Sequence, residues 1–563
     1  PFDQFLRFQM AGDIIATQGL EDGTIEESAA RELVIATGYL ALSQRYGNSK
    51  ADNLHLTYEN AIDTIGRGVL GLTLRCSRCH DHPFDPILQT DYYGLYGILE
   101  STNMPWMGMS IEKSPSGLAP TRPSEKRQKQ AADHWATMTR YEYQINNHFR
   151  PWLKPTPDEY KRVSKELEEA QRQADSAKAG SENPGVSAKL RELTQQREKL
   201  LSRHGGKFRE LMLHGLNWLK KEKSNLARNP PFEMVFAVSE GKPHDAAIHR
   251  RGEPTRKGPV APRRFLQVID GPDVPKIPQG SGRLELANWL TQPDHPLVPR
   301  VLVNRIWQRH FGRGLVATSD NFGIRGEEPS HPELLDWLTQ RFVDEGWSLK
   351  RLHRQIVLSR TYRLSSRGTS DADPSNIYLT RFARRRLEGE AIRDAMLAVN
   401  GQLDRTQGSS HPLPPWDVKR YGLNGPFNTE YETNHRSVYL LTQRLFNHSF
   451  LGLFDPPDRN TATAMRSSAD VPGQSLFLMN SSYVRKQAEA FTDRLLKERS
   501  TDADRIEWAF QLAYGRDPEP AERNQFETYI ERFQQARDTD DNRQLWTSIA
   551  RVILTSNEFF FVD

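Results

Sequence analysis

The chain has 563 residues, 37% of them hydrophobic and 26% charged, a length that predicts two or three domains and a composition unlike that of a disordered chain. The 76 lysines and arginines nearly balance the 72 aspartates and glutamates, which argues against a dedicated nucleic-acid-binding protein. No apolar run approaches the roughly 18 residues that a membrane span requires, so none is expected.

The first predicted domain, residues 1–123, has the apolar spacing of helices. One helix is predicted at 58–74, where the apolar stripe leads directly into a cysteine-containing motif. After a polar loop at 81–86, Thr90 or Asp91 can cap a second helix. Four of its residues either face a flat apolar ring or simply belong to the core, namely Tyr92, Tyr93, Tyr96 and Leu99.

The motif Cys76-Ser77-Arg78-Cys79-His80 contains both cysteines of the chain. A CxxCH pattern is typical of c-type haem, in which two thiols bind one porphyrin and the histidine ligates the iron. A zinc site is an alternative, drawing on Cys76, Cys79, His82 and a remote fourth ligand, but the usual second ligand pair is missing. Buried or disulfide-linked structural cysteines are a third interpretation.

If haem binds, His80 is the predicted proximal ligand of the iron, since His82 is too close in sequence to reach the opposite face. The distal ligand is then expected among Met104, Met107 and Met109. The alternative is that these methionines only pack in a loop. An open distal position would instead suit redox catalysis or ligand sensing.

Residues 124–230 are rich in Glu, Lys, Arg, Gln and Ala and predict a long helical hairpin inserted between domains. Its two helices are expected at 157–178 and 187–226, separated by a Gly- and Pro-containing break. Such an arm is typical of a spacer or a contact surface.

Residues 231–280 are predicted to form a small β segment and linker. Short strands are expected at 232–238 and 264–269, where β-branched and aromatic residues concentrate. A loop rich in Gly, Pro and Arg lies between them at 249–254.

The last predicted domain, residues 281–563, is again helical, and the whole chain is therefore predicted to be mainly α. The run Arg384-Arg385-Arg386 lies in one of these helices with Glu388 and Glu390 one turn on, which predicts an ion-paired, solvated face. A strand is expected at 437–441 and a polar loop at 455–470. The predicted helices are 282–292, 298–312, 331–345, 348–360, 383–403, 474–498, 502–514, 519–537 and 541–557.

Polar and aromatic residues of this domain predict a saccharide or metal site. Aromatic faces cover the C–H side of a sugar ring while polar side chains bind its hydroxyls. Each residue alone also fits a structural role, and the spacing of Asp455 and Asp458 in a Pro-rich loop does not establish a glycosidase pair. The candidates are Asn304, Arg305, Trp307, His310, His353, Asp455 and Asp458.

Several of these segments resemble a known family. Residues 75–87 with Asp91-Tyr92-Tyr93 resemble the cytochrome-c-like domain of large secreted planctomycete proteins. Residues 281–290, 304–312 and 556–559 resemble their C-terminal domain. The resemblance implies a secreted or periplasmic protein of unassigned activity. Such relatives often carry a signal peptide and another cytochrome domain ahead of the point where this chain begins, so we expect a processed or trimmed piece.

These observations together predict an exported c-type haem protein for electron transfer. Its partner would be a redox protein or a second cytochrome domain, with no nucleic acid and no membrane span. The C-terminal domain would couple this electron transfer to oxidation of a polysaccharide, as a haem-dependent oxidoreductase.

Two alternatives stay open from the sequence. One is a non-redox, carbohydrate-binding or hydrolytic protein in which Cys76, Cys79, His80 and His82 hold a structural zinc ion. The other is a surface scaffold that assembles through the arm at 124–227.

Overall fold

A computed structural model defines the fold of most of the chain. Helices account for 61% of the residues and strands for 5%, so the predicted mainly α class is confirmed. No helix in the part of the chain that the structure describes is long and apolar enough to cross a membrane. The described residues are 1–43, 50–107, 115–149, 158–177, 184–203, 206–272, 277, 279–368, 371–407, 433–442, 447–466, 469, 471–536 and 542–562.

The N-terminal region is helical, as predicted, but the helix before the cysteines ends early. It spans Lys50–Ile65 and continues only as a π-helical turn at Gly66–Leu70. Gly71 then adopts a left-handed φ of 63°. The predicted continuous helix at 58–74 is therefore wrong, because Gly71 turns the chain before the motif. The α-helices of this region are Phe2–Glu21, Glu27–Ala36, Gly38–Ala41, Lys50–Ile65 and Gln89–Glu100.

The arm contains the predicted hairpin, with one more break than expected. Its first leg, Asp158–Ala177, packs against Pro184–Arg203 through a small apolar cluster. The second leg is not one helix, because Gly206–Arg228 is separate. That helix packs instead against Glu125–Tyr143 and the π-helical turn Gln144–Phe149.

The strands are short, and each described sheet consists of two antiparallel strands. The predicted strand at 264–269 is wrong: Phe265 stacks on Trp289, and the next residues form the one-turn helix Gln267–Asp270. Tertiary packing here overrides β propensity. The predicted loop at 249–254 overlaps the end of one strand and the turn Arg250–Gly252 of a hairpin. The pairs are Thr102–Asn103 with Ser239–Glu240, Trp106–Met107 with Pro115–Ser116, Ala119–Pro120 with Met234–Val235, Ala246–His249 with Lys257–Ala261, and Arg385–Arg386 with Phe561–Val562.

The C-terminal region is helical, as predicted, with different bounds. The helix predicted at 474–498 is two helices, because Ser481 caps the second one by accepting a hydrogen bond from the backbone of Tyr483. The predicted strand at 437–441 is a 3-10 turn at Ser437–Tyr439. The α-helices are Arg283–Leu290, Val298–Phe311, Pro332–Asp344, Leu349–Val357, Gly389–Val399, Pro472–Asn480, Ser482–Glu498, Asp502–Tyr514, Pro520–Ala536, Asn542–Leu554 and Asn557–Phe560.

The arginine run is not helical. The helix predicted at 383–403 spans only Gly389–Val399. Arg385–Arg386 instead forms an extended strand against Phe561–Val562, at the far end of the sequence. The predicted ion-paired helix face is therefore wrong at this position, since the run is held by a distant strand.

The buried apolar side chains form two large cores. The first runs from Leu6 to Phe382 and the second from Ile392 to Phe560. The first core includes residues on both sides of the predicted boundary at 281, so the N-terminal helices and the first C-terminal helices share their packing. The proposed division into four domains stays a prediction.

One buried ion cluster reinforces the first core. Arg283 donates to both carboxylate oxygens of Asp13 at 2.7 Å and to Glu240 at 3.1 Å. Removing one partner from such a cluster leaves a buried charge unpaired, which costs about 3–5 kcal/mol. These contacts hold the helix Arg283–Leu290 against the N-terminal helix.

Candidate functional site

The CxxCH motif lies on a short surface turn. Residues Leu74–Arg78 form a 3-10 helix that buries Ser77, whose hydroxyl donates to the carbonyl of Ile87 at 3.3 Å. Cys76 and Cys79 are unbonded and exposed. The turn therefore presents both thiols to solvent while its other face packs inward.

His80 is exposed beside the thiols, and one ring nitrogen is held. Its Nδ1 lies 2.7 Å from the carbonyl oxygen of Asp81. Because a carbonyl oxygen only accepts hydrogen bonds, Nδ1 carries the proton. Nε2 then has a free lone pair and is the ring atom available to ligate a metal. The Asp81 carboxylate in turn accepts from the backbone of Gln89 at 2.7 Å, which ties the motif to the next helix.

Arg78, in the middle of the motif, anchors the turn to three elements. Its Nη2 donates to the carbonyl of Gly252 at 2.7 Å, and its Nε lies 3.0 Å from a carboxylate oxygen of Glu59. The Arg78 carbonyl accepts from the Gln89 amide at 3.1 Å and from the Tyr93 hydroxyl at 3.0 Å. The turn that carries the exposed thiols is thus held by several hydrogen bonds on its inward-facing side.

Glu59 is a buried carboxylate beneath this support. Its side chain is 4% exposed, and neither oxygen accepts a hydrogen bond within the described residues, although Arg78 is within ion-pair distance. Burial raises the pKa of Glu59, and the charges of Arg78 and Arg75 oppose that rise. The ion pair is therefore a charge contact without hydrogen-bond alignment.

The aromatic residues of the following helix belong to the core. This helix begins at Gln89 with Leu88 as its N-cap, so the predicted N-cap at Thr90 or Asp91 is wrong. Asp91 is the third helical residue, and its carboxylate accepts from the backbone of Leu88 at 3.1 Å. The rings of Tyr92 and Tyr93 lie 5.3 Å apart, and all three tyrosines are buried. The His249 ring packs 5.1 Å from the Tyr93 ring, and burial, followed by the charge of Lys257, lowers the pKa of His249 to about 4. Of the two interpretations of the tyrosines, the structure supports core packing.

His82 is committed to local structure. Its Nδ1 accepts from the backbone N–H of Asp85 at 2.9 Å, so Nε2 carries the proton, 3.2 Å from the Thr73 hydroxyl. The Asp85 carboxylate accepts from the backbone of Ile324 at 2.7 Å, which joins this loop to the C-terminal region. Across the described residues, no three His, Cys, Asp or Glu side chains are grouped to hold a metal. The geometry therefore gives the zinc alternative no support.

The three candidate distal methionines differ in what the structure describes. Met104 is 2% exposed and packs in the first core. Met107 has its backbone in the strand Trp106–Met107, but its side chain lies outside the described residues, as does all of Met109. A packing role is thus favoured for Met104.

Two of the predicted site residues on the helix Val298–Phe311, Asn304 and Arg305, bind backbone rather than facing an open site. Asn304 is fully buried, and its amide donates to the carbonyl of Val316 at 2.9 Å while accepting from the backbone N–H of the same residue at 2.8 Å. Arg305 donates to the backbone carbonyl of Arg67 at 2.8 Å. Both side chains therefore have a structural role, because they hydrogen-bond to backbone groups of adjacent segments.

His310 and His353 do come together. Nε2 of His310 lies 2.7 Å from Nδ1 of His353, and the Tyr362 ring packs 5.5 Å from the ring of His310. Burial, then the neighbouring His353 and Arg385, lowers the pKa of His310. The pair is half-buried and joins two helices of the first core.

The two loop aspartates bind their own loop. The Asp458 carboxylate accepts from the backbone of Asn460 at 2.8 Å and from the Thr461 hydroxyl at 3.0 Å. Asp455 accepts from the backbone of Ala469 at 2.8 Å. Asp458 thus stabilises a local turn and Asp455 joins the two ends of the loop, and these contacts give no support to a glycosidase pair.

Asp455 also lines a cavity of about 490 Å³ that the sequence analysis did not anticipate. Arg384, Arg385 and Arg386 line it as well. The three consecutive arginines are visible in the sequence. Their position at a cavity is not, because it depends on pairing with the distant strand Phe561–Val562.

Comparison with known proteins locates two families in the chain. Residues 1–104 match the family PSCyt2, described as a protein of unknown function (DUF1549), and residues 282–530 match PSD1, described as a protein of unknown function (DUF1553). Both are planctomycete-type domains, which confirms that part of the resemblance. No curated protein and no solved structure matches the chain. Neither family description names a cofactor or an activity.

Proposed function

We propose that this chain binds a c-type haem covalently through Cys76 and Cys79, that His80 would ligate its iron, and that the haem would supply electron transfer at this exposed face. The observation that carries the proposal is the His80 ring, whose Nδ1 is held by the Asp81 carbonyl at 2.7 Å beside two exposed thiols. A ligating histidine characteristically donates its other N–H to a carbonyl or carboxylate.

The surroundings fit the attachment of a group at the surface. The thiols project from a turn whose backbone is fixed by hydrogen bonds of Arg78, Gln89 and Tyr93. The turn therefore holds its conformation without a bound ligand. When bound, haem supplies reversible one-electron exchange at its iron. An exposed position suits exchange with a redox protein or a second cytochrome domain.

Export is part of the same proposal. Covalent haem attachment takes place outside the cytoplasm, so a chain loaded in this way would work in the periplasm or outside the cell. The proposal is limited to electron transfer, because Asn304 and Arg305, which were predicted to form part of a saccharide site, bind backbone instead.

Expression in a host that has a c-type cytochrome maturation system tests the proposal. The wild-type protein is expected to show Soret and α bands that survive acid–acetone extraction, with about one iron and no zinc per chain. The double substitution Cys76→Ser, Cys79→Ser should abolish the bands. A known c-type cytochrome matured in a parallel culture is the control.

A colourless wild-type protein beside a coloured control would overturn the proposal. About one zinc per chain would favour the structural-metal alternative.

A further inference from the structure

A cavity lies between the two cores. Its volume of about 490 Å³ is in the range of small-molecule sites, roughly 300–1,000 Å³. Gln308 and Arg309 reach it from a first-core helix, Phe454 from the second core, and Val562 from the final strand. A ligand here would contact both halves of the molecule.

The described residues that line the cavity carry a large excess of positive charge. There are five arginines and two carboxylates among them, so the formal positive charge exceeds the negative charge by three. The arginines are Arg309, Arg384, Arg385, Arg386 and Arg466, and the carboxylates are Glu388 and Asp455.

The two carboxylates are already engaged. Glu388 pairs with Arg309 at 2.5 Å and with Arg466 at 3.2 Å. Asp455 accepts from the backbone of Ala469 at 2.8 Å. The charge of Glu388 is therefore directed to Arg309 and Arg466. Arg466 also pairs with Glu390 at 2.7 Å, just outside the cavity lining.

Arg385 has no such partner. Its Nη1 donates to the backbone carbonyl of Arg309, while its Nε is buried without a hydrogen bond. No carboxylate in the described part of the chain forms an ion pair with it. A half-buried guanidinium without a carboxylate at ion-pair distance is costly, and an anion in the cavity would supply the counter-charge.

Strand pairing fixes the position of the run beside the cavity. Arg385–Arg386 pairs with Phe561–Val562, and the strand is held from the other chain end. Arg386 donates to the Gln474 side chain at 2.7 Å, and its guanidinium carbon lies 5.9 Å from the centre of the Phe454 ring. Arg386 thus forms a fixed wall beside Arg385.

We propose that this cavity binds a small ligand with two or more anionic oxygen-bearing groups, and that Arg385 contacts it directly. Guanidinium groups bind carboxylate, sulfate and phosphate oxygens through two parallel hydrogen bonds. Two or more anionic groups match the excess positive charge of the wall. This site is independent of haem attachment.

Isothermal titration of the full chain with three probes tests the proposal and separates the sources of the anion: inorganic pyrophosphate, citrate and digalacturonate. Cellobiose is the neutral control for the last. At least one anion is expected to bind, to raise the melting temperature by linkage, and to weaken as salt is added. Cellobiose should not bind.

Arg385→Gln should weaken the anion that binds by about tenfold, the loss of one charge-assisted contact. Arg300→Gln is the matched control, because Arg300 is, like Arg385, a partly buried arginine, but it pairs with Asp336 at 2.8 Å and lies outside the cavity. It should leave affinity unchanged. Arg385→Lys keeps the charge without the planar fork, so it should give an intermediate affinity and serves if Arg385→Gln does not fold.

Two results would overturn the proposal. One is that none of the three anions binds at millimolar concentration. The other is that Arg300→Gln weakens binding as much as the Arg385 variants do, which would indicate general charge attraction.

Discussion

The CxxCH turn and the helix Val298–Phe311 both carry residues typical of functional sites, and the structure uses them in opposite ways. On the turn, Cys76, Cys79 and His80 are exposed. On the helix, the Asn304 amide is fully buried and satisfied by backbone. Residue type alone therefore does not show which side chains are available to a ligand; availability depends on whether their polar atoms are already satisfied.

The two regions also differ in which residues hold their backbone in place. Arg78 fixes the turn from behind by binding Gly252, and no part of that network uses the thiols. Asn304 is itself the support, joining its helix to Val316. Substitutions on the helix should therefore lower the stability of the protein. Substitutions on the turn should instead change the chemistry of its exposed side chains.

The largest effect is expected from Asn304→Ala. It removes two hydrogen bonds to the buried backbone of Val316, and the free energy of unfolding should fall by about 2–4 kcal/mol. Urea unfolding measures the change. Asn288→Ala, at an exposed helix position, is the control and should change stability by less than about 0.5 kcal/mol. An Asn304 variant as stable as this control would return Asn304 to the candidate binding residues.

A smaller effect is expected from Gly252→Ala, which tests the support of the turn. Gly252 has a φ of 72°, and a Cβ there would lie 2.7 Å from Cys79 Sγ. Strain and collision together should cost about 2 kcal/mol and alter the reaction rate of Cys79 with a thiol reagent in the haem-free protein.

Gly271→Ala is the matched control for that experiment, since its φ is 82° and nothing lies within 4 Å of the added Cβ. Only strain acts there, so about 1 kcal/mol is expected, with unchanged thiol reactivity. Equal effects of both substitutions on thiol reactivity would contradict the contact between Gly252 and Cys79.

The smallest effect concerns pH and Glu59. Burial raises the folded-state pKa of Glu59 above its unfolded value, so between the two values the folded protein holds more protons. The contribution to stability is fully present below the unfolded pKa and is lost as pH rises through the folded pKa. Relative to Glu59→Gln, the wild-type protein should therefore gain stability as pH falls from 7 towards 4.

Unfolding curves at several pH values measure this difference, with the exposed Glu192→Gln as control. A difference between wild type and Glu59→Gln that is constant with pH would show that burial of Glu59 does not perturb its titration.

Much of the helical architecture was predictable, because apolar residues at helical spacing bury themselves. The helix at 298–312 is an example, whereas core packing of Tyr92, Tyr93 and Tyr96 was one of two interpretations that the sequence left open. The failures have local causes that periodicity cannot show. Gly71 ends a helix whose apolar stripe continues past it, and Ser481 divides a helix by capping its second half.

The candidate site was predictable only where the motif itself carries the chemistry. Cys76, Cys79 and His80 stand together by sequence. The backbone bonds of Asn304 and the strand that holds Arg385 depend on residues distant in the chain, and one sequence contains no record of those contacts. The arginine run was consequently assigned to a helix.

The most direct test of the account compares difference spectra, with and without dithionite, of wild-type protein and His80→Ala from the same maturation host. Two thioether bonds should keep the porphyrin attached in the variant, while loss of the axial ligand changes the spin state. We therefore predict haem that resists acid–acetone in both proteins and a changed spectrum in His80→Ala. A variant with the wild-type spectrum and metal content would show that His80 is not an axial ligand and would contradict the account.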